Sequence, residues 1–119
     1  MAVILFVEDD AVSRRSAVRF LRLSGYDVHE AEDGEAAVTL LSSVQFDMVI
    51  SDLNLPGRIN GIDVLAAFKT IPRKVDAILI TGAGSEEIKR RANSLGAVYM
   101  EKPVSLKELE KTIQQRVRT

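Results

Sequence analysis

Four places in this chain put a reactive side chain at the end of a short apolar run. Glu8, Asp9 and Asp10 follow Val3-Ile4-Leu5-Phe6-Val7, and Asp52 follows Met48-Val49-Ile50-Ser51. Thr81 follows Ile78-Leu79-Ile80, and Glu101 and Lys102 follow Val98-Tyr99-Met100. In an open α/β sheet, ligands bind beyond the carboxyl ends of the strands, so these are the positions at which chemistry is expected. If the first and third strands are neighbours, Glu8, Asp9 and Asp52 converge. Three carboxylates packed closely repel one another and need a counter-charge. An oxygen-rich cluster of this kind suits a hard cation such as Mg²⁺ or Mn²⁺. Lys102 supplies a fixed positive charge and Thr81 a hydroxyl. Acids, cation, lysine and hydroxyl together make a site for a phosphoryl group, and one of the carboxylates could itself be the nucleophile.

The elements that must position these groups are legible as alternating patterns. Residues 2–7 form a continuous apolar run, as for a strand buried on both faces, and runs at 47–51, 77–80 and 97–100 read the same way. Residues 26–31 alternate instead, which predicts a half-exposed edge strand. Helices fit between them. One is expected over about residues 11–24, with Ala17, Phe20 and Leu21 on one face and Gly25 as its stop. The next carries Ala37, Leu40, Leu41 and Val44 behind an Asp33 N-cap. A third is expected over about residues 61–70, ahead of Pro72. A fourth carries Ile88, Ala92 and Leu95 and closes at Gly96. The last carries Leu106, Leu109, Ile113 and Val117, and Ser105-Leu106-Lys107-Glu108 at its start reads as a capping box. Strand then helix, five times, predicts a parallel sheet with right-handed crossovers and helices on both faces.

The bulk properties narrow the function. The 119 residues suit one domain spanning residues 1–119, with enough chain for a core without disulfide or metal staples. A formal net charge of −1 argues against a domain built to grip nucleic acid and gives no reason for recruitment to an anionic membrane. With no cysteine there is no disulfide, thiolate zinc site or cysteine nucleophile. The apolar N-terminal stretch stops at Glu8, too short for a signal peptide or a membrane span. A cytoplasmic protein is expected.

The constellation resembles the receiver domain of bacterial two-component response regulators. The matching residues are Glu8-Asp9 after the first strand, Asp52 within Ser51-Asp52-Leu53-Asn54-Leu55-Pro56, Thr81 after Ile78-Leu79-Ile80, and Lys102-Pro103. The likeness covers essentially the whole chain. It implies a flavodoxin-like, doubly wound five-stranded sheet with five helices in the order 2-1-3-4-5, the order familiar from flavodoxin and the chemotaxis receivers. It implies Asp52 as phosphoacceptor and Mg²⁺, replaceable by Mn²⁺, as cofactor. Asp9 would bind the metal directly, Glu8 through water, and Asn54 through its backbone carbonyl. Lys102 would pair with a phosphoryl oxygen, next to a Lys102–Pro103 bond that is often cis. Thr81 would be the switch hydroxyl and Tyr99 the aromatic that follows it inward. The implied partners are a histidine kinase or histidine phosphotransfer protein as donor, a downstream output domain or target, and a homodimer formed on phosphorylation. Such a domain assists its own phosphorylation and dephosphorylation and is not a multiple-turnover enzyme.

Three positions depart from the commonest pattern. The loop Pro56-Gly57-Arg58-Ile59-Asn60-Gly61 is one residue longer, Gly82 stands where a larger small residue is frequent, and Ala83 offers no polar group to orient water. Other polar residues have simpler readings. Asp10 suits an N-cap. His29, the single histidine, lies on the presumed edge strand away from the acids. Arg14, Arg15, Arg19 and Arg22 read as a solvated face of the first helix, or as part of the kinase-docking surface that the resemblance implies. Two rival functions share the pattern. A Mg²⁺-dependent phosphohydrolase with an aspartyl nucleophile commonly needs a second acid two residues on, where this chain has Asn54. A phosphorylation-independent interaction domain would have no need of the complete constellation.

Overall fold

The structure, a computed structural model, describes residues 1–117. Five strands and five helices alternate without exception: β1 Val3–Val7, α1 Ala11–Leu23, β2 Asp27–Ala31, α2 Gly34–Leu41, β3 Met48–Asp52, α3 Gly61–Phe68, β4 Asp76–Thr81, α4 Glu86–Ser94, β5 Val98–Glu101 and α5 Leu106–Arg116. All strand pairs are parallel and the order is β2-β1-β3-β4-β5. Because β1 and β3 are neighbours, Val7 pairs with Ser51 and the residues after each strand emerge side by side.

Burial follows position in the sheet. The central strands β1, β3 and β4 are almost wholly buried, as continuous apolar runs between two helical layers should be. The edge strand β2 buries only Val28 and Ala31. The run at 97–100 departs from expectation: β5 is half-buried, because it pairs with β4 alone and forms the other edge. Two apolar clusters form the core, one on each face of the sheet. Leu5, Val49, Leu65 and Phe68 anchor one, and Ile4, Leu21, Ile78 and Ile113 anchor the other.

Helix ends follow local chemistry. Asp10, Asp33, Asn60, Ser85 and Ser105 are the five N-caps, each accepting a backbone N–H from the third residue of its helix. The reciprocal capping box lies at Asn60 and Asp63, where both bonds are made. At Ser105 the hydroxyl accepts from Glu108, and the return bond is not among the hydrogen bonds of the described residues. Helix α3 stops at Phe68, two residues short of the expected end, with Lys69 as its C-cap.

The arginines of α1 are not simply a solvated face. Arg14 donates to Glu30 at 3.0 Å and to the Glu8 carbonyl at 2.8 Å. Arg22 donates twice to the Val28 carbonyl. Arg14 ties α1 to the ends of β1 and β2, and Arg22 ties it to the start of β2 while staying exposed, as Arg15 and Arg19 are. His29, in the middle of β2, packs edge-on against Phe46.

Candidate functional site

The acids gather at the carboxyl edge of the sheet. Asp52 is the last residue of β3, and Glu8 and Asp9 follow β1 directly. Glu8 and Asp52 are only 6% and 7% exposed, whereas Asp9 faces solvent. A carboxylate oxygen from each of the three lies within 4.8 Å of the others. The Lys102 ammonium bridges the two buried acids, 3.2 Å from Glu8 Oε1 and 3.2 Å from Asp52 Oδ2. Burial, the largest single influence, works to lower the Lys102 pKa. The hydrogen bonds and charges of Asp52 and Glu8 together outweigh it, so the ammonium is held charged above its ordinary value of 10.5.

This counter-charge is incomplete. One ammonium serves a cluster of three carboxylates, and Asp52 Oδ1 is a buried oxygen without a hydrogen-bond partner among the described residues. Buried polar atoms are nearly always partnered, so an orphan acceptor beside two further carboxylates marks a place for an electropositive group. The donor set is all oxygen and anionic, which fits a hard divalent cation and not a soft one.

The remaining predicted residues are close by. Thr81 ends β4 with its side chain fully buried, and its Oγ1 accepts the Ala83 N–H at 3.1 Å. Its carbonyl accepts the Lys102 N–H at 2.9 Å, which ties the Lys102 backbone to the end of β4. The Lys102–Pro103 bond is cis. Tyr99 lies one strand over on β5, half-buried, with its pKa raised by burial and by the negative charges of Glu101 and Glu86. Asn54 sits exposed, two residues beyond Asp52 in the loop that leaves β3. A cavity of about 550 Å³ opens beside the acids, walled by Phe6 and Ser13 on one side and Pro103 and Leu106 on the other. Asp52 and Lys102 both line it.

Glycine supplies two contacts that no sequence motif marks. Gly61 opens α3 where a β-carbon would strike the Asp52 carbonyl oxygen, and its N–H donates to the Leu53 carbonyl at 2.9 Å. The loop from β3 to α3 is thereby folded back against the end of β3. Gly34, the first residue of α2, is equally crowded, by the backbone and side chain of Ile59. The loop at Ile59 therefore rests on the start of α2. Only the tertiary approach of backbone to backbone reveals either contact.

Comparison with known proteins agrees with this architecture. The family model of the response regulator receiver domain matches residues 4–114. The aerobic respiration control protein ArcA of Escherichia coli is 38% identical over 107 residues, which are 89% of this chain and 44% of that protein. The transcriptional regulatory protein PdtaR of Mycobacterium tuberculosis is 36% identical over 117 residues, 96% of this chain and 56% of that one. The chain thus spans about half the length of these relatives. Among solved structures, a receiver domain protein of Methanospirillum hungatei superimposes with a TM-score of 0.89 at 28% identity, covering 97% of this chain and 92% of that one. With the sheet order, the acid cluster and the match over nearly its whole length in accord, the chain belongs to the response regulator receiver domain family.

Proposed function

We propose that this domain is a phosphoacceptor switch in which Asp52 takes a phosphoryl group from phosphohistidine on a histidine kinase or histidine phosphotransfer protein. A carboxylate oxygen of Asp52 attacks phosphorus, the P–N bond breaks, and the electron pair stays on the imidazole nitrogen. The product is an acyl phosphate on Asp52. The observation that carries this reading is the Lys102 ammonium bridging Glu8 and Asp52 while Asp52 Oδ1 stays buried and unpartnered. Oδ1 is open to a cation, and Oδ2 is freed to attack when Lys102 moves off it. Lys102 is placed to exchange its carboxylate contact for a phosphoryl oxygen as charge develops there.

Glu8, Asp9 and Asp52 are the residues that would hold Mg²⁺ or Mn²⁺, with the Asn54 carbonyl added by the resemblance. When bound, the ion supplies neutralisation of the phosphoryl charge in the transition state. Thr81 then gives up its bond to the Ala83 N–H and turns its hydroxyl to the acyl phosphate, and Tyr99 responds on the neighbouring strand. This favours one of two pre-existing arrangements of the surface built from α4, β5 and α5. The greater length of the relatives makes an output segment or a separate target protein the natural reader of that surface, and pairing of two phosphorylated copies is a further way to read it. The domain assists its own chemistry and does not turn over a separate substrate. The near-zero net charge gives it no direct grip on nucleic acid or membrane. No helix among the described residues is long and apolar enough to cross a membrane. A cytoplasmic location accords with its proposed donor.

The test is intact mass after incubation with acetyl phosphate, with and without Mg²⁺, beside Asp52→Asn. One added phosphoryl group that requires both Mg²⁺ and Asp52 is expected. A folded wild-type protein that gains no adduct, with rapid quenching, overturns the reading.

A further inference from the structure

The two residues of the proposed switch, Thr81 and Tyr99, meet at a third. A β-carbon added to Gly84 would fall on the Tyr99 hydroxyl oxygen, 2.8 Å from Tyr99 Cζ and 3.0 Å from Thr81 Cγ2. The space a side chain at position 84 would need is thus taken by the end of the tyrosine ring, with the threonine methyl at its border. Backbone conformation does not demand glycine here. The glycines with positive φ are Gly25, Gly57 and Gly96, and Gly84 is not among them. The requirement is for space alone. Gly82, two residues earlier in the same loop, makes the contrast plain. A β-carbon there would lie 3.8 Å from the Lys102 side chain, an ordinary contact.

The space is occupied from one direction. Tyr99 leaves β5 half-buried and packs against the core cluster that contains Leu79, its register partner on β4. Its pKa is raised, first by desolvation and then by the negative charges of Glu101 and Glu86. The Lys89 ammonium stands 6.0 Å from the centre of the ring, on α4. Meanwhile the Thr81 hydroxyl is engaged with the Ala83 N–H, inside the loop that carries Gly84. The ring thus reaches its seat without any displacement of Thr81 toward Asp52.

We propose that Gly84 is a positioning residue for the switch: its missing side chain is the seat that holds the Tyr99 ring inward beside Thr81 before any phosphoryl group arrives. The resting equilibrium of Tyr99 is then set by residue 84 and not by Thr81 alone. Any side chain at this position displaces the ring from that seat toward solvent. The role in signalling rests on the phosphoacceptor reading above. The seat itself does not, so the experiment below needs no phosphorylation. Acetyl phosphate failing to label Asp52 would remove the switch and leave the seat standing.

The test uses the full chain with ring-¹³C tyrosine. There are two tyrosines, and Tyr26→Phe assigns the signals. In the parent protein the Tyr99 ring signals are expected to broaden little with a soluble paramagnetic agent. In Gly84→Ala they are expected to shift toward free tyrosine and broaden strongly, with far-UV circular dichroism unchanged. Unchanged Tyr99 shifts and broadening in folded Gly84→Ala would overturn the proposal. Should Gly84→Ala fail to fold, Tyr99→Ala decides. A methyl group at position 84 is expected to be tolerated once the ring is gone, so the double variant Gly84→Ala/Tyr99→Ala folds with the melting temperature of Tyr99→Ala alone. If Gly84→Ala lowers the melting temperature equally in the wild-type and Tyr99→Ala backgrounds, the clash lies elsewhere and the proposal is overturned.

Discussion

Strand β3 has an aspartate at each end, and the two are treated in opposite ways. Asp47, just before the strand, is partly exposed, yet both its oxygens are engaged. Oδ2 accepts the Val3 N–H at 2.8 Å and Oδ1 faces Arg73 Nη2 at 3.3 Å. Arg73 also donates to the Phe46 carbonyl at 2.7 Å, so the whole corner is closed. Asp52, on the last residue, is the more deeply buried of the two and has one oxygen without a partner. Solvation alone would predict the reverse, because unpaired acceptors cost most where water is excluded. One end of the sheet has been finished for stability. The other has been left unfinished, in electrostatic terms, where a phosphoryl group and a cation would complete it.

The sharpest way to break this comparison is to neutralise each aspartate in turn and measure urea unfolding. Asp47→Ala strips Val3 and Arg73 of their acceptor and is expected to cost about 2 kcal/mol. Asp52→Asn relieves repulsion with Glu8 and removes a buried charge. It is expected to stabilise the fold by about 1 kcal/mol, as relief at a strained functional site commonly does. Opposite signs are the prediction. If both variants lose stability by similar amounts, the contrast between the two ends is not energetic.

Addition of Mg²⁺ should act on one end only. At a free concentration about ten times the Kd, binding is expected to raise wild-type stability by about 1.4 kcal/mol. Asp47→Ala should gain the same increment despite its lower baseline, because the carboxylates of Glu8, Asp9 and Asp52 are intact. Asp52→Asn should gain little. Thermal unfolding with and without Mg²⁺ reads all three. Equal gains in wild type and Asp52→Asn would place the ion somewhere other than the acid cluster.

The unequal ends also explain what can be read from the sequence. Continuous apolar runs show β1, β3 and β4 because those strands are covered on both faces, and the residues after them are where the site lies. Caps at Asp33 and Ser105 are legible because an N-cap bond spans three residues and is local. The half-buried state of β5 is not legible. Val98, Tyr99 and Met100 are apolar in either setting, and only the strand order leaves them at an edge. Arg14 and Arg22 look like solvent-facing charges because their carbonyl partners, on Glu8 and Val28, belong to other elements. The acids, Thr81 and Lys102 are legible as a set, through residue type and place. The contacts that shape the site around them are not. Gly61 against Asp52 and Gly84 against Tyr99 depend on how closely the chain approaches itself, and a glycine in a loop carries no mark of that.

The smallest effect expected is also the one that separates the two ends most cleanly, because it depends on which cation serves each. Lys102 holds its proton more tightly in the folded protein than its ordinary value of 10.5, so its contribution is fully present below that pH. It is lost as pH rises through the higher folded value. The difference in stability between wild type and Lys102→Met should therefore be constant from neutral pH to about 10 and shrink above it. Its size should be under about 1 kcal/mol, because the Lys102 side chain is 41% exposed and water screens the pair. At the opposite end the cation is an arginine, Arg73. The deficit of Asp47→Ala should stay flat over the same pH span in the same urea experiment. A Lys102→Met difference that persists unchanged well above the ordinary lysine value of 10.5 would mean that the difference does not come from the charge on Lys102.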